Sequence, residues 1–144
     1  MTRGKTAGRP RTGPRFQLVR IGPQSMRWRL LGGNNASLGA GVAECAAPPE
    51  CLLAITVLRA RLDVLSADFR HVSGGRWRWS LRWDGEPVAE ATHAYGRRIE
   101  AQRGLDRFRV AAVTAGVEDI ETVVDWRQRY RRHPDSIPDQ FPRP

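Results

Sequence analysis

Trp77, Trp79, Leu81 and Trp83 take every second position in one stretch of the chain, with Arg76, Arg78, Ser80 and Arg82 between them. A period of two is that of an extended strand, whose side chains point alternately to its two faces, so one face here is apolar and the other cationic. Met26, Trp28 and Leu30 alternate with Arg27, Arg29 and Leu31 in the same manner. Asp84-Gly85 follows the later strand and tolerates the positive φ of a tight hairpin turn; Asn34-Asn35 can serve the same purpose after the earlier one. Further strands are expected over residues 38–44 and 87–92 beyond these turns. Two more are expected over residues 16–21 and 69–72, ahead of Gly22-Pro23 and Gly74-Gly75. The period then changes. Cys51, Ile55, Leu58 and Leu62 are spaced by 4, 3 and 4 residues, as are Ala101, Leu105, Phe108 and Ala112, which is the spacing of one helical face. Pro48-Pro49 suits the opening turn of the first helix, where a missing amide costs nothing. The second helix should begin at residues 96–98 and run to about residue 110.

These elements occur twice in the same order. Arg27-Trp28-Arg29-Leu30 recurs as Arg78-Trp79-Ser80-Leu81 at an offset of 51; one residue is then lost in the turn, and Leu38 matches Val88, Cys45 matches Tyr95 and the helical sets match at an offset of 50. Self-similarity held over such a distance is the signature of a duplicated unit, here three strands and a helix. A C-terminal helix outside the repeat is expected over residues 117–132. Val117, Ile120 and Val124 share one face of it, Glu118, Asp119 and Glu121 open it, and Arg127, Arg129, Arg131 and Arg132 close it, in keeping with the helix dipole. The chain then divides into a tail at 1–15, repeats at 16–66 and 67–116, the helix at 117–132 and a Pro-rich tail at 133–144.

Within the second copy, Arg78-Trp79-Ser80-Leu81, Asp84-Gly85-Glu86, Val88-Ala89, Tyr95, Ala101 and Gly104-Leu105 resemble the YegP-like family of small proteins. That family's pattern is an aromatic strand, an Asn-Gly-Glu turn, an aliphatic strand, then Tyr and a helix with Ala, Gly and Ile. The first copy is worn, with Asn34-Asn35 at the turn, Cys45 at the Tyr and Ala54-Ile55 at the Gly-Ile. The resemblance spans residues 16–112. It implies an α+β fold in which two tandem strand-strand-strand-helix repeats share one sheet with both helices on one side. It implies no activity and brings no functional residue with it.

Length and charge narrow the function. The 144 residues fit one domain. No apolar run approaches a membrane span and none stands near the start as a signal peptide, so a cytoplasmic location is expected. Cys45 and Cys51 lack a further Cys or His pair at zinc spacing and read as small buried apolar groups. The net charge of +9 is placed unevenly. Residues 1–15 hold Arg3, Lys5, Arg9, Arg11 and Arg15 with no acid, giving +5. Residues 127–144 hold five Arg and two Asp, giving +3, which leaves 14 basic and 13 acidic residues between, or +1. Both ends are rich in Gly or Pro and have little to bury, so disorder is expected there. The folded part should be close to neutral. Because 23 of the 24 basic residues are Arg, a bias that a GC-rich genome produces, arginine count alone says little.

No catalytic, cofactor-binding or metal-binding residue emerges. His71, His93 and His133 stand in separate segments without metal spacing; His93, near Tyr95 and Glu90, has the neighbours of a general base but reads more simply as a polar strand-end residue. Ser73 and Ser80 lack a base and an orienting acid, and the glycine pairs lack the lysine of a phosphate loop. Trp28 and Trp79, at equivalent repeat positions, are expected in the core rather than on a base-stacking platform. The expectation is a non-enzymatic binding or accessory protein without cofactor or membrane contact. Its candidate anion-binding residues are Arg3, Lys5, Arg9, Arg11 and Arg15 in the tail, with Arg27, Arg29, Arg76, Arg78 and Arg82 on a sheet face expected to be open. Nucleic acid or another polyanion, held weakly and with salt dependence, is the expected partner. A protein partner docked on the third helix or the sheet edge is the alternative.

Overall fold

A computed structural model describes residues 13–118 and the backbone of residues 123–125. The elements are β1 (Arg15–Gly22), β2 (Ser25–Leu31), β3 (Ser37–Gly41), α1 (Pro48–Arg61), β4 (Ser66–Val72), β5 (Arg76–Trp83), β6 (Glu86–Glu90), α2 (Arg98–Thr114), β7 (Gly116–Val117) and β8 (Val123–Asp125). They form one sheet in the order β4-β5-β6-β3-β2-β1-β7, with β8 also pairing on β1. Both helices lie on one face of it and share a single core. The expected α+β architecture of two strand-strand-strand-helix copies is therefore present.

Turn chemistry makes each copy a meander. Asp84 (φ 53°) and Gly85 (φ 84°) form a two-residue turn between the paired Trp83 and Glu86, the left-handed geometry that matches strand twist. The first copy uses a longer loop with Asn35 at φ 69°, closed by a 2.8 Å bond from the Gly32 amide to the Ala36 carbonyl. At the entry to α1, Pro48 and Pro49 take the first turn while Glu50 Oε1 accepts the amides of Ala46 (2.6 Å) and Ala47 (3.3 Å).

Register carries the duplication into three dimensions. The two copies meet where β3 pairs antiparallel with β6, and Ala40 pairs with Glu90, its own counterpart at the offset of 50. That self-pairing is what a two-fold relation about the sheet centre requires. The irregularity after Leu30 in the first copy recurs after Leu81 in the second. The bridge between Met26 and Cys45 recurs between Trp77 and Tyr95.

The core sits between the centre of the sheet and the helices. Trp28 and Trp79 project over β3 and β6, where small buried residues lie, Gly39, Gly41 and Ala89, with Ala91 just beyond β6. Small residues are needed there: a Cβ on Gly39 would lie 2.7 Å from Phe108 Cδ1 and 2.8 Å from the Trp79 ring. Phe108 from α2 contacts both indoles, with ring centroids 4.9 Å from Trp79 and 6.2 Å from Trp28, and Phe16 meets Trp28 edge-on at 5.4 Å. The predicted helix faces pack here, Cys51, Ile55, Leu58 and Leu62 from one and Ala101, Leu105, Phe108 and Ala112 from the other. Cys45 and Cys51 are buried free thiols, and burial pushes the Cys51 thiol up. Arg59 joins the helices, its Nε donating to the Ala112 carbonyl at 3.0 Å and its Nη2 to that of Ala115.

The C-terminal expectation needs correction. Val117 and Val123–Asp125, placed in a helix by the sequence reading, are strands paired parallel to β1. β-branched valines suit a strand, and the outer edge of β1 offers unpaired backbone groups that a short segment can satisfy. Residues 119–122 and 126–132 of that stretch lie outside the described residues, as do both tails up to residue 12 and from residue 133.

Candidate functional site

The sheet face turned away from the helices collects the polar half of each alternating strand. One row across it runs Gln17, Arg29, Ala40, Glu90, Ser80 and Asp68. The expectation that this face is open fails at β2: Arg27 is 5% exposed and Arg29 2%. Arg29 donates to Gln17 Oε1 through Nε at 2.8 Å and Nη2 at 2.5 Å, and Gln17 Nε2 donates to Glu118 Oε1 at 3.2 Å. Glu118 Oε2 in turn meets Arg15 Nε at 2.7 Å. Arg15 therefore belongs to β1 and to this network, not to the tail. Its Nη2 also donates to Asn35 Oδ1 at 2.6 Å.

Acids answer the arginines elsewhere on the face. Burial pushes the Arg27 guanidinium down against the opposing pull of Glu90 and Glu44, and burial pushes the Glu90 carboxyl up against Arg27, Arg78 and Arg70. Asp68 Oδ2 stands 3.6 Å from Arg82 Nε and 4.0 Å from Arg70 Nε. Arg82 also donates to the Gly85 carbonyl at 2.9 Å. Of the arginines predicted here, Arg76 is exposed, Arg78 and Arg82 are half-buried, and Arg27 and Arg29 are withdrawn. Arg3, Lys5, Arg9 and Arg11 lie outside the described residues.

One cationic cluster remains accessible. His93 follows β6, exposed on one side and packed on Tyr95 on the other, with ring centroids 4.5 Å apart. Burial of that packed side lowers its pKa, and Arg107, Arg76 and Arg78 lower it further. The imidazole thus sits in a field of arginines from β5 and α2 that disfavours its charged form. Burial also pushes the Tyr95 phenol up, against Arg107. Because the folded-state pKa of His93 lies below the unfolded value of about 6.5, the unfolded chain binds more protons, and stability present above that pH declines as pH falls through it. His93 should titrate below about 6.5 in a histidine NMR titration, and His93→Gln should remove part of the acid-side fall in thermal midpoint. Titration at or above the unfolded value would contradict the cluster.

No reaction centre assembles among these groups. His71 packs on Trp77 with tilted rings 4.1 Å apart and Ser73 begins a glycine turn, while Ser80 is buried in the sheet face. Among the described residues, no three of His, Cys, Asp and Glu are grouped to hold a metal ion. No described helix is long and apolar enough to cross a membrane. Gln17 and Glu118, which decide the fate of Arg29 and Arg15, escaped sequence reasoning. Gln17 could have been found as the polar position between Phe16 and Leu18 on β1.

The fold and this face define a duplicated strand-strand-strand-helix protein with a largely self-neutralised sheet. No family model and no curated protein matches the sequence. Among solved structures it is similar to the protein of unknown function yegP from E. coli, at 13% identity and a TM-score of 0.62, covering 75% of this chain and 93% of that one. It is also similar to a UPF0339 protein from Shewanella oneidensis, at 8% identity and a TM-score of 0.63, covering 84% of this chain and 99% of that one. The chain has the YegP-like fold, as its second-copy motif implied.

Proposed function

We propose that the protein is a non-enzymatic binding or accessory protein that holds polyanions, nucleic acid most simply, through basic segments flanking a near-neutral body. The carrying observation is where unanswered charge lies. Within the sheet, Arg15, Arg27, Arg70 and Arg82 face Glu118, Glu90 and Asp68. Arg3, Lys5, Arg9 and Arg11 stand in a stretch with no acid at all, and residues 127–144 carry +3. Arg76 and Arg107 near His93 supply a secondary contact on the body. Contacts from arginine to phosphate carry no base information, so binding should depend little on sequence.

The competing reading, a protein docked on the sheet edge, has less support. β4 is the edge strand at the second copy's end, and Asp68 and Arg70 on it discourage pairing with another strand. The test is binding of the full chain and of residues 15–144 to single- and double-stranded oligonucleotides near physiological salt. Loss of most affinity on truncation is expected. No binding by the full chain would overturn the proposal and favour a protein partner; unchanged binding by the truncated chain would move the site to Arg76 and Arg107.

A further inference from the structure

The two copies differ most where each helix leans over the end of its third strand. In the second copy the phenol of Tyr95 lies beneath α2 against Gly104, where a Cβ would collide with the ring. The corresponding positions in the first copy are Cys45 and Ala54. A thiol and a methyl group there replace a phenol and a hydrogen. The space left opens as a groove of about 430 Å³, lined by Trp28, Cys45, Ala54, Val57, Trp83 and Val88 among others. Its wall is apolar where the second copy is charged, since Leu53 and Val57 stand in place of Arg103 and Arg107. The volume is that of a small-molecule site, whose usual form is an apolar cleft with a few placed polar groups.

Charge gives the groove a direction. Arg61, in the last turn of α1, lines it with its guanidinium carbon 4.0 Å over the Trp83 ring. No ion pair or hydrogen bond engages that guanidinium among the described residues. Glu44 and Glu50 line the other end. Glu50 is held by the amides of Ala46 and Ala47. From Glu50 to Arg61 the helix advances roughly 16 Å at about 1.5 Å per residue. An anion is repelled at one end and met by an unpaired, pre-oriented cation at the other.

We infer that this groove binds a small amphipathic anion, its apolar body lying along α1 between Trp28 and Trp83 and its acidic head on Arg61. The ligand is a monocarboxylate or similar acid with an aromatic or medium-chain aliphatic body. The site uses none of the residues assigned to polyanion binding and stands independently of that reading.

The test titrates the full chain with 2-naphthoate, decanoate and the neutral 2-naphthalenemethanol, read by calorimetry and by intrinsic tryptophan fluorescence, to which Trp28 and Trp83 contribute. Saturable 1:1 binding of at least one acid is expected, and the tighter acid tells an aromatic from an aliphatic ligand. Cys45→Tyr with Ala54→Gly rebuilds the second copy's filling and should weaken binding by about tenfold or more, as should Val57→Trp if the double variant does not fold. Arg61→Gln should weaken the acids about tenfold and leave the alcohol unchanged. Failure of both acids to saturate the full chain overturns the proposal. So does undiminished binding by a folded, groove-filled variant, or an Arg61→Gln protein that binds the acids as well as the original.

Discussion

Replacing Trp79 with alanine should destabilise the protein by about 3 to 5 kcal/mol, the range for deleting a large buried aromatic side chain. Trp79 is 0% exposed and its indole lies against Phe108 at 4.9 Å and reaches across β6 to Gly39 on β3. The void cannot close easily, because the sheet beneath presents the small residues Gly39, Gly41, Ala89 and Ala91 there. Domains are stable by only about 5 to 15 kcal/mol, so the variant should unfold at much lower urea concentration, with the loss shared by α2 through Phe108. Trp79→Phe should recover part of it. A Trp79→Ala protein with an unchanged midpoint would mean that the indole is a surface group, and would return it to the list of candidate base-stacking residues.

Gly39→Val should do comparable damage by the opposite route. The backbone at Gly39 needs no unusual φ, and valine favours strands, so propensity alone predicts a gain. Packing decides otherwise. A Cβ at that position would stand 2.7 to 2.8 Å from Phe108 and Trp79, two rings that fix each other, and overfilling a rigid core costs about 1 to 3 kcal/mol or more. The upper part of that range is expected, measured as a shift of the urea midpoint. Gly116→Val, also in a strand but with nothing within 4 Å of its Cβ position, is the control and should be close to neutral. Equal effects of the two substitutions would show that strand propensity, not the aromatic layer, governs the site.

Local pattern and repetition made much of the fold legible. Asp84-Gly85 is the turn it reads as, Pro48-Pro49 opens α1, and the 4, 3, 4 spacings name the buried helix faces because each depends on neighbours in the chain. What escaped depended on partners distant in sequence. Alternation on β2 puts Arg27 and Arg29 on the face opposite Trp28, but whether that face meets water turns on Gln17, Glu118 and Glu90. The acids and valines of residues 117–124 satisfy a helix pattern equally well, yet the bare edge of β1 draws Val117, Val123 and Val124 into strands and Glu118 to Arg15. The groove had a visible sign in Cys45 and Ala54, where the duplicated motif lacks its Tyr and Gly. That sign becomes a cavity only once α1 and Trp83 are known to close around it.

The salt dependence of nucleic-acid binding tests the division between basic ends and neutral body most directly. Each phosphate neutralised on duplex contributes about 0.9 to the slope of log affinity against log salt. Arg15 is tied to Glu118, so removing residues 1–14 deletes four cations, Arg3, Lys5, Arg9 and Arg11. The slope for the truncated chain should then be flatter by up to about 3.6, with the fold retained. An identical slope for the two chains, both folded, would contradict the account by showing that the folded body makes the phosphate contacts.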